Sequence, residues 1–258
     1  MADLPNEIKK NIACAVNIIR NSKRAVVLTG AGISTPSGIP DFRSGGEGLW
    51  TRYDPFEVAS LISFRYHPEK FYDWIRPLAV KIRKAEPNAA HYSLAKLEQA
   101  GLLKATITQN IDGLHQRAGS RTVIEVHGSL ETMTCVDCYD KADARDFIKP
   151  YFENGQVPHC PACGGVLKPD VVLFGEQLPV YSWLQAQKTS KNCDVMLVAG
   201  SSLEVLPVAG LPMNTLESGG HLIVINQSDT YIDVRADVVF HENVVDILPI
   251  IAAGVLNG

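Results

Sequence analysis

Ala25-Val26-Val27-Leu28-Thr29-Gly30-Ala31-Gly32-Ile33-Ser34 is the stretch of sequence that decides the fold. Its first four residues are apolar and include two β-branched valines, which predicts a buried strand. Gly30 and Gly32 allow the main chain to approach a ligand closely, and a helix start after such a turn would favour a phosphate. The dinucleotide fingerprint is incomplete, because Thr35 stands where its third glycine would fall. The stretch therefore predicts a nucleotide site, with an ordinary strand-to-helix turn as the alternative.

The composition is that of a folded protein that does not cross a membrane. The chain has 258 residues, of which 46% are hydrophobic and 20% are charged. No apolar run reaches the roughly 18 residues of a membrane-spanning helix, and Met1–Pro5 does not resemble a secretory signal. These features predict a cytoplasmic location. The net charge of −4 argues against broad nucleic-acid binding and is compatible with a cationic peptide as partner.

Strands alternate with helices along most of the chain. Short apolar runs predict strands at 25–28, 104–108, 123–126, 171–176, 195–199, 222–225 and 238–240. Amphipathic spacing predicts helices at 7–21, 56–63, 68–85, 88–100, 142–152 and 244–256, with Asn88 as the cap of the fourth. This alternation predicts an α/β domain with a mainly parallel sheet and helices on both faces. Aromatic residues are frequent between 56 and 74, and for most of them a place in the core is the simpler account.

Polar residues follow several of the predicted strands. In an α/β sheet, ligands bind at the carboxyl ends of the strands. Asn110 and Asp112, after the second strand, could orient a substrate hydroxyl, a carboxamide or a water, or could cap the next helix. Ser201 and Ser202, after Gly200, form a second possible phosphate cradle, and their alternative is again a helix cap.

Four of the six cysteines form two pairs with metal-ligand spacing. Cys135 and Cys138 make the first pair, and Cys160 and Cys163 make the second. Two such pairs close a tetrahedral Cys₄ site, which is the arrangement of a structural zinc. A redox dithiol needs only one pair and leaves the other unexplained.

His127 is the candidate general base. It follows a predicted strand and precedes Gly128, which leaves space beside the ring. A neutral imidazole can accept a proton near pH 7. His115 competes for this role, and a structural role for a histidine at a strand end is the alternative for both.

Together these motifs resemble the sirtuins, the NAD-dependent protein lysine deacylases. In order they are Gly-Ala-Gly-Ile-Ser (30–34), Pro-Asp-Phe-Arg (40–43), Thr-Gln-Asn-Ile-Asp (108–112), His-Gly (127–128), the paired cysteines, Phe-Gly-Glu (174–176) and Gly-Ser-Ser-Leu (200–203). The resemblance implies a Rossmann-like domain (1–34, 86–128 and 169–258) with a smaller domain made of a helical module (35–85) and a zinc module (129–168). NAD and the acyl-lysine peptide are expected to meet in the cleft between the domains.

The resemblance also implies the roles of individual residues. His127 is the expected catalytic base, with Asn110 and Asp112 as further catalytic residues. The residues expected at the NAD site are Gly30, Ala31, Gly32, Ser34, Asp41, Phe42, Arg43, Gln109, Asn110, Ile111, Asp112, Gly200, Ser201, Ser202 and Asn226. A segment containing Val172, Phe174, Gly175 and Glu176, together with Glu204 and Val205, is expected to pair with the substrate backbone as an added strand. Phe42 is expected to shield the intermediate from water and from returning nicotinamide.

The implied reaction gives nicotinamide, free lysine and an O-acyl-ADP-ribose. A branch of the family that removes malonyl and succinyl groups carries Tyr-x-x-Arg in the helical module. Here Ile75 stands in place of that arginine, three residues after Tyr72, and Arg76 is one place later. We therefore expect uncharged acyl groups, acetyl first.

Two other functions remain open on the sequence alone. An ADP-ribosyltransferase or NAD glycohydrolase would use the same NAD site without a peptide groove. A zinc-stabilised sensor would bind NAD or nucleic acid without chemistry. The preferred prediction is a compact, monomeric, prokaryotic-type catalytic core with NAD as co-substrate and one structural zinc, binding acyl-lysine proteins and neither nucleic acid nor membrane.

Overall fold

The computed structural model describes residues 4–41 and 53–257. The helices in these ranges are α1 (Asn6–Asn21), α2 (Pro55–Val58), α3 (Leu61–Tyr66), α4 (Pro68–Lys84), α5 (Ala89–Gln99), α6 (Leu114–Arg117), α7 (Arg145–Asn154), α8 (Val180–Asn192), α9 (Leu211–Glu217) and α10 (Val244–Leu256). The strands are β1 (Ala25–Thr29), β2 (Leu103–Thr108), β3 (Val123–Glu125), β4 (Gly128–Cys135), β5 (Lys141–Asp143), β6 (Leu167–Val171), β7 (Val195–Ala199), β8 (His221–Ile225) and β9 (Val238–Phe240). The chain divides into two compact units, one of Met1–Gly38, Glu86–Val126 and Tyr181–Gly258, the other of Ile39–Ala85 and His127–Val180.

The first unit is built on a six-stranded parallel sheet. Its strand order is β3-β2-β1-β7-β8-β9, and each neighbouring pair is parallel. β1 and β7 are buried along their whole length, which explains their continuous apolar runs. The order runs outward in opposite directions from β1 and β7, so the loops after these two strands lie at the switch point where α/β sheets place their ligands.

Helices cover both faces of this sheet. On one face, α1, α5 and α10 contribute to a core that includes Ile19, Leu94 and Ile251, packed against alternate strand residues such as Val27 and Leu197. On the other face lies α9, whose Thr215 hydroxyl contacts the sulfur of Met196 at 3.9 Å. Met196 and Leu197 are adjacent in β7 and therefore point to opposite faces. The predicted α/β class with helices on both faces is confirmed.

The second unit combines a small sheet with an aromatic helical cluster. The sheet is antiparallel, in the order β5-β4-β6. Four aromatic residues of this cluster are buried: Phe64, Phe71, Tyr72 and Tyr151. The ring centroids of neighbouring pairs lie 5.3 to 6.0 Å apart. Most of these aromatics are therefore core, as the sequence suggested, whereas Phe56 is 66% exposed.

One predicted strand was placed wrongly, and others were missed. The strand assigned to residues 171–176 is β6, which runs from Leu167 to Val171 and contains Pro169. After Val171 only an isolated bridge remains, between Ser60 and Phe174. β4 and β5 were not predicted. Among the described residues, no helix combines the length and the apolar character needed to span a bilayer.

Candidate active site and metal centre

Two loops of the first unit touch through their main chains at the carboxyl edge of the sheet. The N–H of Gly32 donates to the carbonyl oxygen of Gly200 at 2.9 Å. Gly200 has a φ of +63°, and a Cβ added there would lie 2.2 Å from the nitrogen of Ile33. The chain after Gly30 forms two short 3₁₀ turns, Ala31–Ile33 and Thr35–Ser37, rather than an α-helix. The phosphate argument from a helix start therefore does not apply to this turn.

Ser34, Asn110 and Asp112 form a hydrogen-bonded cluster at the same edge. The amide Nδ2 of Asn110 donates to Gly30 O at 3.0 Å and to Ser34 Oγ at 3.1 Å. Ser34 Oγ in turn donates to Asp112 Oδ2 at 2.7 Å. Asp112 also accepts from the N–H of Leu114, the first residue of α6, at 2.9 Å. Burial raises the pKa of the Asp112 carboxyl, and the bonds from Leu114 and Ser34 oppose that shift.

Other predicted NAD residues line the same sheet edge. Gln109 Nε2 donates to Ser201 Oγ at 2.9 Å, which joins the loops after β2 and β7. Asn226, after β8, donates from Nδ2 to the carbonyl oxygen of Ser228 at 2.8 Å. Ile111 and Ser202 are half-buried. The loops after β1, β2, β7 and β8 therefore present their polar residues along one edge.

Two of the predicted NAD residues cannot be placed. Phe42 and Arg43 lie outside the described residues, as does the glycine-rich loop 44–48. Asp41 is described and half-buried, and it belongs to the second unit.

His115 lies in a buried network beneath the strand ends. It is 1% exposed, and its Nε2 lies 2.9 Å from Thr29 Oγ1, which donates to Thr108 Oγ1 at 2.8 Å. Its ring packs edge-on against His91, with centroids 4.9 Å apart. Burial lowers the pKa of His115 to about 3 and that of His91 to about 4. A ring so enclosed is poorly placed to serve as general base for a bound substrate.

His127 stands in a different setting, in the second unit. It occupies the turn just before β4 and is half-buried. Its carbonyl oxygen accepts from the N–H of Val172 at 2.9 Å. Gly128 has a φ of +78°, and a Cβ there would lie 1.8 Å from the carbonyl oxygen of Asp170. The main chain at the carbonyl group of His127 and at Gly128 is thus fixed by β6 and the residue that follows it.

The predicted substrate segment is tied to the helical module. Phe174 N donates to Ala59 O at 2.9 Å, and Leu61 N donates to Phe174 O at 3.0 Å. The main-chain groups of Phe174 are therefore engaged within the unit. Glu176 directs its carboxylate to the N–H of Leu173 at 3.0 Å. Glu204 is exposed and Val205 is half-buried, in the first unit.

The four cysteines converge as their spacing predicts. Their sulfur atoms lie within 4.8 Å of one another, with separations of 3.5 Å for Cys135–Cys163, 3.7 Å for Cys138–Cys160 and 3.3 Å for Cys138–Cys163. A tetrahedron with Zn–S bonds of about 2.3 Å has sulfur separations of about 3.8 Å, so the donor set fits zinc. The N–H groups of Asp137 and Gly165 point at the sulfurs of Cys135 and Cys163, at 3.5 and 3.4 Å. With four thiolates the site is closed, which makes it structural.

Several residues of the site were not found from the sequence. Thr29 and Thr108 end their strands and carry the network above His115. His91 sits on a helix whose pattern does not mark it as buried. Asn88 was predicted as a cap, which the structure confirms. Its Nδ2 also donates to Ile33 O at 2.8 Å and so ties α5 to the loop after β1.

The first unit has a parallel sheet with a glycine-lined edge, and the second unit has a Cys₄ centre. Together they define an α/β protein of the dinucleotide-binding class. The model of the Sir2 family matches residues 30–207. An Archaeoglobus fulgidus protein named NAD-dependent protein deacylase 2 is 46% identical over 247 residues, which is 95% of each chain. This chain belongs to the Sir2 family.

Solved structures agree with this assignment. One, from a study of the mechanism and regulation of Sir2 enzymes, has a TM-score of 0.91 and 44% identity, and the match covers 96% of this chain and 99% of that one. A second, a Sir2 histidine-to-alanine variant with a deacetylated p53 peptide and 3′-O-acetyl ADP-ribose, has a TM-score of 0.88 and 42% identity over 94% and 97% of the two chains.

Proposed function

We propose that this protein is an NAD-dependent protein lysine deacylase that removes acetyl and other uncharged acyl groups. The reaction transfers the acyl group to ADP-ribose and releases nicotinamide and free lysine. The observation that carries the proposal is the Ser34–Asn110–Asp112 cluster, which places a half-buried carboxylate and a buried carboxamide at the edge where parallel sheets bind dinucleotides. The solved relative that holds O-acetyl-ADP-ribose with a deacetylated peptide contains the products of this reaction.

Each part of the site has a task in this chemistry. Asp112 and Ile111 hold the carboxamide of the nicotinamide, and Asn110 and Gln109 hold its ribose. The acyl oxygen of a neutral amide is a weak nucleophile, so it attacks the ribose carbon only as the bond to nicotinamide loosens. His127 accepts a ribose hydroxyl proton, and general-base assistance of this kind is worth about 10²–10⁴-fold in rate. Ser201 and Asn226 contact phosphate and the adenosine ribose.

The described geometry favours uncharged acyl groups. Tyr72 is 3% exposed, and its hydroxyl donates to the carbonyl oxygen of Leu167. Arg76 donates from Nη2 to the carbonyl oxygen of Phe152 at 2.5 Å. Because both groups are committed within the second unit, a carboxylate-bearing acyl chain would lack the tyrosine–guanidinium pair that recognises it.

The first experiment measures nicotinamide release from NAD with and without an acetyl-lysine peptide. We expect release to require the peptide, to match deacetylation in amount, and to disappear in His127→Ala while NAD binding by calorimetry persists. His221→Ala is the matched control, because His221 begins β8 at the opposite end of the sheet from the glycine loops and its exposed ring pairs with Asp237.

Two other results would change the proposal. Peptide-independent release would move the function to a glycohydrolase or an ADP-ribosyltransferase. Binding of NAD with no release under any acylated peptide would indicate a sensor.

We further propose that the protein acts as a monomer in the cytoplasm and does not bind nucleic acid. Four thiolates that hold zinc must stay reduced, which favours a reducing compartment, and the net charge of −4 disfavours a nucleic-acid partner. Light scattering coupled to size exclusion should give a mass near 28.1 kDa, whereas twice that mass would contradict the monomer.

A further inference from the structure

Lys168 occupies an unusual position for a lysine, because its side chain is only 11% exposed. Its ammonium group donates to Val171 O at 2.9 Å, to Pro169 O at 3.0 Å and to Glu176 Oε2 at 3.2 Å. An ammonium group has three donors, and all three are used. Lysine is seldom buried without partners, and here the three hydrogen bonds of the ammonium group explain how Lys168 can be buried.

Glu176, the partner of Lys168, lies at the end of the segment 171–176 and makes further hydrogen bonds within it. Its Oε2 accepts from Leu173 N at 3.0 Å as well as from Lys168. Its own N–H donates to Leu173 O at 3.0 Å. The pair thus fixes both main-chain groups of Leu173 and the carbonyl oxygen of Val171.

Residues 171–176 contact two parts of the second unit, the turn that carries His127 and the helical module. Val172 N donates to the carbonyl oxygen of His127. Phe174 bonds through both main-chain groups to Ala59 and Leu61 of the helical module. Residues 171–176 therefore connect the turn that carries His127 to the helical module, and the Lys168–Glu176 pair sets their conformation.

We infer that Lys168 and Glu176 are positioning residues for the acyl-lysine peptide, acting through the segment 171–176 rather than by touching the substrate. This inference rests on the proposed function and changes the role expected for Glu176, whose carboxylate faces Lys168 and Leu173. Loss of the pair loosens the segment against which the peptide is laid and leaves the NAD residues of the first unit intact.

The test compares Lys168→Met with Lys141→Met. Lys141 lies on β5 of the same small sheet, is 74% exposed and pairs with Asp170 at 3.8 Å. Lys141→Met therefore removes one ammonium charge from the same sheet, but at the surface, where an ion pair contributes little. We expect Lys168→Met to raise the KM for an acetyl-lysine peptide about tenfold, which corresponds to about 1.4 kcal/mol, with the KM for NAD within about twofold of wild type. Lys141→Met should change neither value.

Two further variants separate positioning from general loss of stability. Lys168→Arg keeps the charge and should recover part of the peptide affinity. Glu176→Gln combined with Lys168→Met should be no worse than Lys168→Met alone, because residues that act as one unit are not additive. Amide exchange at Leu173 should rise in Lys168→Met, and this readout does not depend on activity.

An unchanged peptide KM in Lys168→Met would overturn the inference, as would a parallel rise in both KM values, or a peptide KM in the double variant clearly above that of Lys168→Met. If wild-type protein shows no peptide-dependent nicotinamide release, the proposed function fails instead. Exchange at Leu173 would then still decide whether the pair holds the segment.

Discussion

Gly200 shows how much a single residue constrains this site. It ends the run of β7, adopts a positive φ, and brings its main chain against Gly32 and Ile33. No side chain fits between the two loops, because a Cβ would fall 2.5 Å from the carbonyl carbon of Gly32. The spacing of the two loops at the sheet edge therefore depends on the absence of one methyl group.

Gly200→Ala should lower the free energy of unfolding by about 3 kcal/mol or more, since strain in the left-handed region and overpacking each cost about 1–3 kcal/mol. It should also abolish NAD binding, measured by calorimetry. Gly38→Ala is the control, because Gly38 also has a positive φ of +87° but no atom of the described residues lies within 4 Å of its Cβ position. That variant should lose only about 1 kcal/mol. Equal effects in the two variants would show that the contact with the first loop is unimportant.

At this scale, the sequence revealed residue types but not their hydrogen bonds. The convergence of the four cysteines could be predicted, since the spacing within each pair lets both of its thiolates bind one ion. Ser34 and Asp112, by contrast, are far apart in the chain and meet only because β1 and β2 are neighbours in register. The edge-on contact of His91 with His115 was not recognised either, because the two residues lie on different helices, α5 and α6.

Among the elements, β6 and the residues after it explain the wrongly placed strand. Residues 171–174 are apolar and resemble a strand, whereas Pro169 resembles a break. In the structure Pro169 pairs with Met133 inside the small sheet. The ladder ends after Val171 because the N–H of Leu173 is taken by a side chain, Glu176. Side-chain hydrogen bonds of this kind leave no periodic signal in a sequence.

Helix α4 carries the residues on which the proposed acyl preference rests. Adjacent helical positions differ by about 100° in direction, so Arg76 does not replace an arginine at Ile75, and it is engaged with Phe152. We expect kcat/KM for an acetyl peptide to exceed that for a succinyl peptide by at least about tenfold, since a hydrogen bond to a charged group contributes about 1.5–3 kcal/mol. Competition between the two peptides, followed by mass spectrometry, measures the ratio. Preferred turnover of the succinyl peptide would contradict this account of α4.

The zinc centre anchors the end of β4, where Cys135 is buried. Cys160→Ser should reduce the bound zinc from one equivalent to well below it and should unfold the small sheet, because thiolate ligands supply folding energy to modules with little core. Metal analysis and far-ultraviolet circular dichroism check both results. Cys14→Ser is the control, since Cys14 is exposed on α1 and outside the cluster. Full zinc content in Cys160→Ser would contradict the proposed ligand set.

For the molecule as a whole, the buried pair of His91 and His115 predicts acid lability. The pKa values of His91 and His115 in the folded protein, about 4 and about 3, lie below the ordinary value for an unfolded chain, about 6.5. Between these values the unfolded chain binds more protons, so stability is fully present above about pH 6.5 and falls as the pH is lowered. Two such groups give a slope that approaches about 2.7 kcal/mol per pH unit.

Urea denaturation at several pH values between 7 and 4.5 measures this slope, with zinc content followed in parallel because acid also displaces the metal. His115→Asn should lower the slope by about 1.4 kcal/mol per pH unit, which is the contribution of one proton. A histidine resonance of His115 that titrates near pH 6.5 in the folded protein would refute the prediction.

The class of the fold was predictable because the central strands are buried on both faces and therefore stand out as apolar runs. The order of the strands was not, since nothing in the runs themselves says that β1 lies between β2 and β7. β4 escaped prediction because its first five residues, four of them not apolar, are half-buried or exposed, and only Met133 and Cys135 near its end are buried. Sequence reasoning therefore recovers those elements whose burial produces a local pattern of apolar residues.

The placement of β1 between β2 and β7 also bears on how the chain reaches its native state. Ala25 pairs with Val195, so one side of this early strand stays unpaired until most of the chain has been synthesised. The small sheet and its zinc ligands, all between Gly128 and Val171, are complete earlier. Contacts of such long sequence separation slow folding. During translation we therefore expect the metal-bound sheet to form first and the large sheet to close last, with the exposed edge of β1 as the surface that a chaperone would protect.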